Sequence, residues 1–169
     1  TAVQIGNAIE EKRTLDALEE ARDQDLIRMI QDVGGGGFSS AIGEIGEDLG
    51  VNVDIKNAPL KYQGLAPWEI WVSESQERMI VVISPSNLKK FERVCQKYNV
   101  EVSVLGKFDG NKKLRVFYGS EIVCGLDMEF LHHGLPKKVL KANKPSNVIP
   151  SNDGIHLNDG VNYPQTEKQ

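Results

Sequence analysis

Residues 26–50 read LIRMIQDVGGGGFSSAIGEIGEDLG, and this stretch decides the fold. The apolar run over 26–31 predicts a buried strand that ends at Asp32. After four consecutive glycines, apolar side chains recur at helical spacing over 38–49, which predicts an amphipathic helix closed by Gly50. A strand, a glycine-rich turn and a helix in this order are typical of proteins that layer helices on a sheet.

The sequence on both sides of this stretch continues the alternation of helices and strands. Asn7 and Glu10 form a capping pattern before a helix on which Leu15, Leu18 and Ala21 fall on one face. Further helices are predicted to begin at Pro67 and at Ser84-Pro85, and strands are predicted over 51–55, 79–83, 100–104, 114–118 and 121–126.

A two-residue turn signal, Asp109-Gly110, separates two of the last strands. It predicts a hairpin that pairs 100–104 with 114–118, and Gly119-Ser120 then leads into the strand over 121–126. Strands that alternate with helices and end in an antiparallel set predict an α/β (α+β) domain, in which helices are layered on a mixed β-sheet.

Composition and charge exclude several classes of protein. The chain has 169 residues, which is the size of one ordinary domain, and a net charge of −4 at pH 7. Proteins that mainly bind nucleic acid usually carry a basic excess, so no nucleic-acid partner is expected. No stretch approaches the roughly 20 apolar residues that span a bilayer, so no membrane partner is expected either. Two cysteines, Cys95 and Cys124, indicate thiols in a reducing compartment, and a cytoplasmic location is expected.

The patterning changes near residue 137. Residues 1–136 carry periodic apolar positions, whereas residues 137–169 are dominated by Lys, Asn, Pro, Ser, Asp and Gly. This composition predicts one domain over 1–136 followed by a linker or flexible tail over 137–169. Because the chain starts at Thr1 and moves straight into apolar residues, we expect a domain whose start is truncated, cut from a longer protein.

The glycine run Gly34, Gly35, Gly36 and Gly37 is the first candidate site. Glycines let a ligand approach the backbone, and a helix N-terminus presents free N–H groups with a positive dipole end, so the loop is a candidate for phosphate. The carboxylate of Asp32 would repel a bare phosphate but suits a cation that bridges to one. The alternative is structural: a turn that needs positive φ, with Asp32 as a cap.

The second candidate is the polar run over 73–79, SESQERM, which precedes a predicted strand. Such a run presents donors and acceptors at a strand end; the alternative is a solvated loop in which Glu77 and Arg78 pair at the surface. The third candidate is Gln4, a polar residue among apolar neighbours that needs a partner from the backbone or a ligand. The residues alone indicate an anion-binding α/β domain, with no assigned catalytic residue.

Three segments together resemble a known family. They are AVQIGN over 2–7, QDVGGGGFSSA over 31–41, and PWEI over 67–70 running into SESQERM over 73–79. They are similar to phosphoribosylformylglycinamidine synthase, and more narrowly to the first AIR-synthase-type C-terminal domain of its large, synthetase subunit. The resemblance covers residues 1–136. Gly35 departs from the pattern, because the family more often has Ala at this position.

The resemblance implies roles for individual residues. Gln4 matches a glutamine that contacts the substrate, formylglycinamide ribonucleotide. Glu74, Ser75 and Gln76 match a three-residue substrate-binding segment. Asp32 matches an aspartate that holds Mg²⁺. The chemistry agrees with these roles, since amide and hydroxyl groups suit neutral substrate groups and a carboxylate supplies a hard oxygen.

The resemblance also implies a reaction and partners. The family is an ATP-dependent ligase of de novo purine biosynthesis that converts the substrate's amide to an amidine with ammonia drawn from glutamine. ATP is bound mostly by a domain that has no match here, and the glutaminase, a separate subunit or a fused domain, has none either. The fragment is therefore expected to supply substrate and magnesium contacts, to depend on the remainder of the synthetase chain, and to be inactive alone. The alternatives are a non-catalytic anion-binding or assembly module, or another member of the AIR-synthase superfamily.

Overall fold

The computed structural model describes residues 6–75, 77–136 and 138–140. Gln4, Gln76 and nearly all of the predicted tail over 137–169 lie outside the described residues. By its contacts the chain divides into two units, Thr1–Leu135 and Pro136–Gln169. The elements of the first unit are α1 (Ala8–Asp23), β1 (Ile27–Asp32), α2 (Gly37–Gly46), β2 (Val51–Asp54), α3 (Pro67–Val72), β3 (Met79–Ile83), α4 (Leu88–Lys97), β4 (Gly106–Phe108), β5 (Lys113–Tyr118), β6 (Glu121–Asp127) and α5 (Met128–His133).

The strands form two sheets. β1 and β3 make an antiparallel pair, and the other four strands make a sheet in the order β4-β2-β5-β6. Within the larger sheet β2 and β5 are parallel, whereas β2 pairs with β4 and β5 pairs with β6 in antiparallel register. Helices and a mixed sheet confirm the predicted fold class.

Two apolar clusters hold these elements together. In the first, Phe38 and Ile42 of α2 pack with Val53 of β2 and Val116 of β5. The buried residues of the second cluster come mainly from α1 and α4 and are Ala17, Ala21, Leu26, Phe91, Val94 and Cys95. The burial of Phe38, Ile42 and Ile45 confirms the helical face predicted for α2. None of the helices in the described residues is both long and apolar enough to cross a membrane.

The predicted hairpin around Asp109 is wrong. The turn itself forms, because the Asp109 carboxylate accepts the N–H of Asn111 at 3.0 Å. However, β2 lies between β4 and β5, and Asn52 of β2 donates its side-chain amide to Asp109 at 2.6 Å. A turn signal predicts that the chain reverses direction, but it does not predict that a distant strand lies between the two strands that the turn connects.

Several local predictions need smaller corrections. β1 is not buried, since Met29 and Ile30 are 43% and 44% exposed on a sheet of only two strands. α2 ends at Gly46 instead of continuing to residue 49. Residues 100–104 form no strand, and α5 was not indicated by the sequence patterns. On α1 the N-cap is confirmed, because Asn7 accepts the N–H groups of Ile9 and Glu10.

Candidate functional site

The two candidate loops meet at one end of the small sheet. Asp32, the last residue of β1, lies opposite Met79, the first residue of β3. One step further, Val33 donates its N–H to the carbonyl of Arg78 at 3.0 Å. The glycine loop follows β1 and the polar run precedes β3, so antiparallel pairing places both at the same rim.

The glycine loop is a tight turn pressed against the polar run. Gly36 and Gly37 have positive φ values of 82° and 62°, and the N–H of Gly37 donates to the carbonyl of Gly34 at 3.0 Å. A Cβ at Gly37 would overlap the carbonyl oxygen of Ser73. Glycine is therefore required at position 37 both by the backbone angle and by the approach of the neighbouring chain.

Glu74 closes the N-terminus of α2. Its Oε1 accepts the N–H of Gly36 at 3.0 Å across 38 residues of sequence. A carboxylate at this position is favoured by the helix dipole. The N–H groups of Gly36 and Gly37 are thus both occupied by acceptors of the chain itself, so a phosphate at this loop would have to displace Glu74 or use the next N–H groups of the helix.

Arg78 turns inward and holds the polar run. Its Nη2 donates to the carbonyl of Ser73 at 2.5 Å and its Nε donates to the carbonyl of Ser75 at 3.1 Å. The Cζ atom lies 4.4 Å from the centre of the Phe38 ring, and burial lowers the pKa of the guanidinium. The surface pairing of Arg78 with Glu77 that the sequence left open does not occur, because Arg78 has these inward partners.

Glu77 anchors the polar run to two other segments. Its Oε1 accepts the N–H of Asn7 at 2.7 Å, and its Oε2 lies 3.7 Å from Nζ of Lys61. A Cβ at Gly6 would lie 2.5 Å from the Glu77 carboxylate, so the chain approaches closely there. Glu77 has a φ of 56°, and a strained backbone of this kind persists only where surrounding contacts hold it. The sequence indicated no such role for Glu77, whose only signal was its place in a polar run shortly before a β-branched strand.

The polar run opens onto a cavity of about 2120 Å³. Its lining includes Gly36, Ser73, Glu74, Ser75, Glu77 and Arg78. Ser73 and Ser75 share a hydrogen bond of 3.1 Å between their hydroxyl groups at this wall. Most of the lining is apolar, and the stretch formed by the polar run offers carboxylate, hydroxyl and backbone groups to a polar ligand.

Asp32 stands apart from this cavity wall. Its side chain is exposed at the end of β1, and its Oδ2 would lie 3.0 Å from a Cβ at Gly34. Asp32 shares the rim with Glu74 and Ser75 but is not among the residues that line the cavity. No group of three or more His, Cys, Asp or Glu side chains in the described residues is arranged to hold a metal ion. A cation at Asp32 would need most of its ligands from water, a substrate or another part of the protein.

Comparison with known proteins agrees with the resemblance found in the sequence. Residues 1–119 match the family model described as AIR synthase related protein, C-terminal domain. A phosphoribosylformylglycinamidine synthase subunit PurL from Thermoplasma acidophilum is 38% identical over 132 residues, which are 77% of this chain and 17% of the relative. The same subunit from Picrophilus torridus is 41% identical over 132 residues, 77% of this chain and 18% of the relative. The chain thus spans about a fifth of the length of these relatives.

Solved structures give the same result for the fold. Thermotoga maritima PurL complexed with FGAR superposes with a TM-score of 0.76 at 30% identity, covering 86% of this chain and 24% of that one. The same protein complexed with ATP gives a TM-score of 0.77 at 30% identity, covering 86% and 25%. The resemblance to phosphoribosylformylglycinamidine synthase is confirmed, and the chain belongs to the family described as AIR synthase related protein, C-terminal domain.

Proposed function

We propose that this chain is the substrate-binding part of a phosphoribosylformylglycinamidine synthase. The complete enzyme would convert formylglycinamide ribonucleotide, ATP and glutamine-derived ammonia to the amidine product, in the cytoplasm. The observation that supports this most directly is the hydrogen bond from Gly36 to Glu74, because it joins the two family motifs at one cavity wall. Relatives in the family include a PurL solved with FGAR, one solved with ATP and a PurLQS assembly, all from Thermotoga maritima.

In this proposal the polar run binds the substrate. Glu74 uses Oε1 for the N–H of Gly36, so Oε2 remains as an acceptor for a hydroxyl or amide N–H of the substrate. The hydroxyl of Ser75 provides both a donor and an acceptor beside it. Gln4 and Gln76 are proposed to complete the same set with their side-chain amides. The remainder of the synthetase chain would supply most contacts to ATP, and the glutaminase would supply ammonia.

Asp32 is proposed to be the Mg²⁺ ligand of this chain. A single exposed carboxylate beside a glycine loop fits Mg²⁺, which is often bound by one or two carboxylates and completes its shell with water and phosphate oxygens. The bound ion would neutralise charge on a transferring phosphoryl group. This chain holds the Asp32 carboxylate at the end of β1. The strand end is fixed because the N–H of the next residue, Val33, donates to the carbonyl of Arg78 in the polar run.

Glu74→Gln in the complete synthetase tests the substrate assignment. Removing the charge weakens the hydrogen bond from the N–H of Gly36 and the hydrogen bond that the second carboxylate oxygen would accept from substrate. We therefore expect KM for formylglycinamide ribonucleotide to rise about tenfold or more, with KM for ATP unchanged. Glu92→Gln on the exposed side of α4 is the matched control and should alter neither constant. An unchanged KM in Glu74→Gln contradicts the assignment, and a wild-type enzyme that binds no substrate would favour an assembly module.

Asp32→Asn tests the metal assignment separately. The change is nearly isosteric, so we expect a normal circular dichroism spectrum together with a higher Mg²⁺ concentration for half-maximal activity. Asp48→Asn, an exposed change in the turn after α2, is the control. If Asp32→Asn unfolds the domain while the Mg²⁺ requirement stays the same, Asp32 is a structural cap.

A further inference from the structure

One side chain fixes the backbone on both sides of Glu74. The guanidinium of Arg78 binds the carbonyl of Ser73 through Nη2 at 2.5 Å and the carbonyl of Ser75 through Nε at 3.1 Å. These carbonyls belong to the residues directly before and after Glu74. With the Ser73 and Ser75 carbonyls both held by one planar group, the chain on the two sides of Glu74 has little freedom to move.

The same guanidinium is held from the other side by the first turn of α2. Its Cζ atom lies 4.4 Å from the ring centre of Phe38, which is 3% exposed. An arginine over an aromatic face gains both cation–π attraction and stacking. Phe38 follows Gly37 directly in the chain, so Arg78 connects the polar run to the helix end whose N–H Glu74 binds.

The charge of Arg78 has no carboxylate partner within ion-pair distance among the described residues. Its two assigned hydrogen bonds go to backbone carbonyls, which suits a role in shaping a loop. A lysine at this position would keep the charge but lose the planar fork and the stacking on Phe38. The geometry of the group therefore matters here in addition to its charge.

We propose that Arg78 is a positioning residue: it clamps Ser73 and Ser75 so that the Glu74 carboxylate stays on the N–H of Gly36, and thereby sets the affinity of the loop for substrate. The second half of this statement rests on the proposed function. The first half concerns only the conformation of the loop and is measurable without substrate.

Arg78→Lys and Arg115→Lys in the complete synthetase form the test pair. Arg115 also bonds through its guanidinium, to Asp109 at 3.3 Å, but it lies in β5 away from the polar run. Hydrogen–deuterium exchange without substrate should accelerate about tenfold in peptides covering 34–38 for Arg78→Lys only. KM for formylglycinamide ribonucleotide should rise about tenfold in the same variant, with KM for ATP within twofold of wild type.

Each outcome decides one half of the proposal. Unchanged exchange at 34–38 in Arg78→Lys, or equal acceleration in both variants, overturns the clamp. Faster exchange with an unchanged KM for substrate overturns the link to affinity. A wild-type enzyme that binds no substrate refutes the proposed function, while the exchange result still decides the clamp. Should Arg78→Lys not fold, Phe38→Leu removes the stacked ring but keeps most of the apolar volume, and unchanged exchange at 34–38 in this variant overturns the clamp.

Discussion

Replacing Gly37 with alanine should destabilise the domain far more than the same change elsewhere in the glycine run. Gly37 combines a φ of 62° with a Cβ position that overlaps the Ser73 carbonyl oxygen and lies 2.7 Å from the carbonyl carbon of Val72. The left-handed backbone alone costs a residue with a Cβ about 1–2 kcal/mol. Relieving the overlap must also move Ser73 away from Arg78, and a hydrogen bond to a charged group is worth about 1.5–3 kcal/mol.

The expected loss for Gly37→Ala is therefore about 3–5 kcal/mol in the free energy of unfolding, a large part of the stability of an ordinary domain. Two alanine variants separate the contributions. Gly64 has a φ of 81° in open space, so Gly64→Ala measures the backbone cost alone. Gly35 has open space and no positive φ, so Gly35→Ala should be neutral or stabilising by up to about 1 kcal/mol.

Urea unfolding followed by circular dichroism measures all three variants of Gly37, Gly64 and Gly35 under one condition. The reasoning predicts the largest loss for Gly37→Ala, an intermediate loss for Gly64→Ala and none for Gly35→Ala. If Gly37→Ala lies within about 1 kcal/mol of Gly64→Ala, the contact with Ser73 carries no energy and the close approach of the two loops is refuted.

Three further predictions concern the rest of the fold. Hydrogen bonds from Lys97 and Tyr98 hold the pKa of Glu20 below its usual value. Glu20→Gln should therefore lower the melting temperature near neutral pH, and the difference from wild type should vanish as the pH falls through the carboxyl range. A difference in melting temperature that persists in acid contradicts this. Burial raises the pKa of Cys95 to about 11, so at mildly alkaline pH iodoacetamide should label Cys124 well before Cys95, and mass spectrometry showing the reverse order would refute the packing. Asn7→Ala removes the α1 cap and should cost about 1 kcal/mol of unfolding free energy, whereas no measurable loss would mean that the cap is not formed in solution.

Elements with a strong local pattern were predicted well. The apolar spacing from Phe38 to Ile45 placed α2 and its buried face, and Asn7 placed the start of α1. These features depend on contacts within a few residues, since a helix repeats every 3.6 residues and a cap accepts N–H groups two and three residues further on. The glycine turn at 34–37 belongs to the same class, because glycine itself tolerates the positive φ that Gly36 and Gly37 adopt.

Pairing between distant strands could not be predicted in this way. The pattern near Asp109 indicated a hairpin, but β2 joins from more than 50 residues earlier and separates β4 from β5. Val51 and Val53 show the same alternation whichever strand lies beside them, so periodicity identifies a strand without identifying its neighbour.

For the candidate site, the sequence by itself determined which segments carry polar chemistry: the glycine loop with Asp32, and the polar run that contains Glu74. Only the tertiary structure decided that Glu74 binds the N–H of Gly36, that Arg78 turns inward onto Phe38, and that Asp32 is not among the residues that line the cavity. The physical reason is that hydrogen bonding and burial depend on which groups the fold brings within about 3 Å, and residues 38 positions apart carry no local signal of their contact.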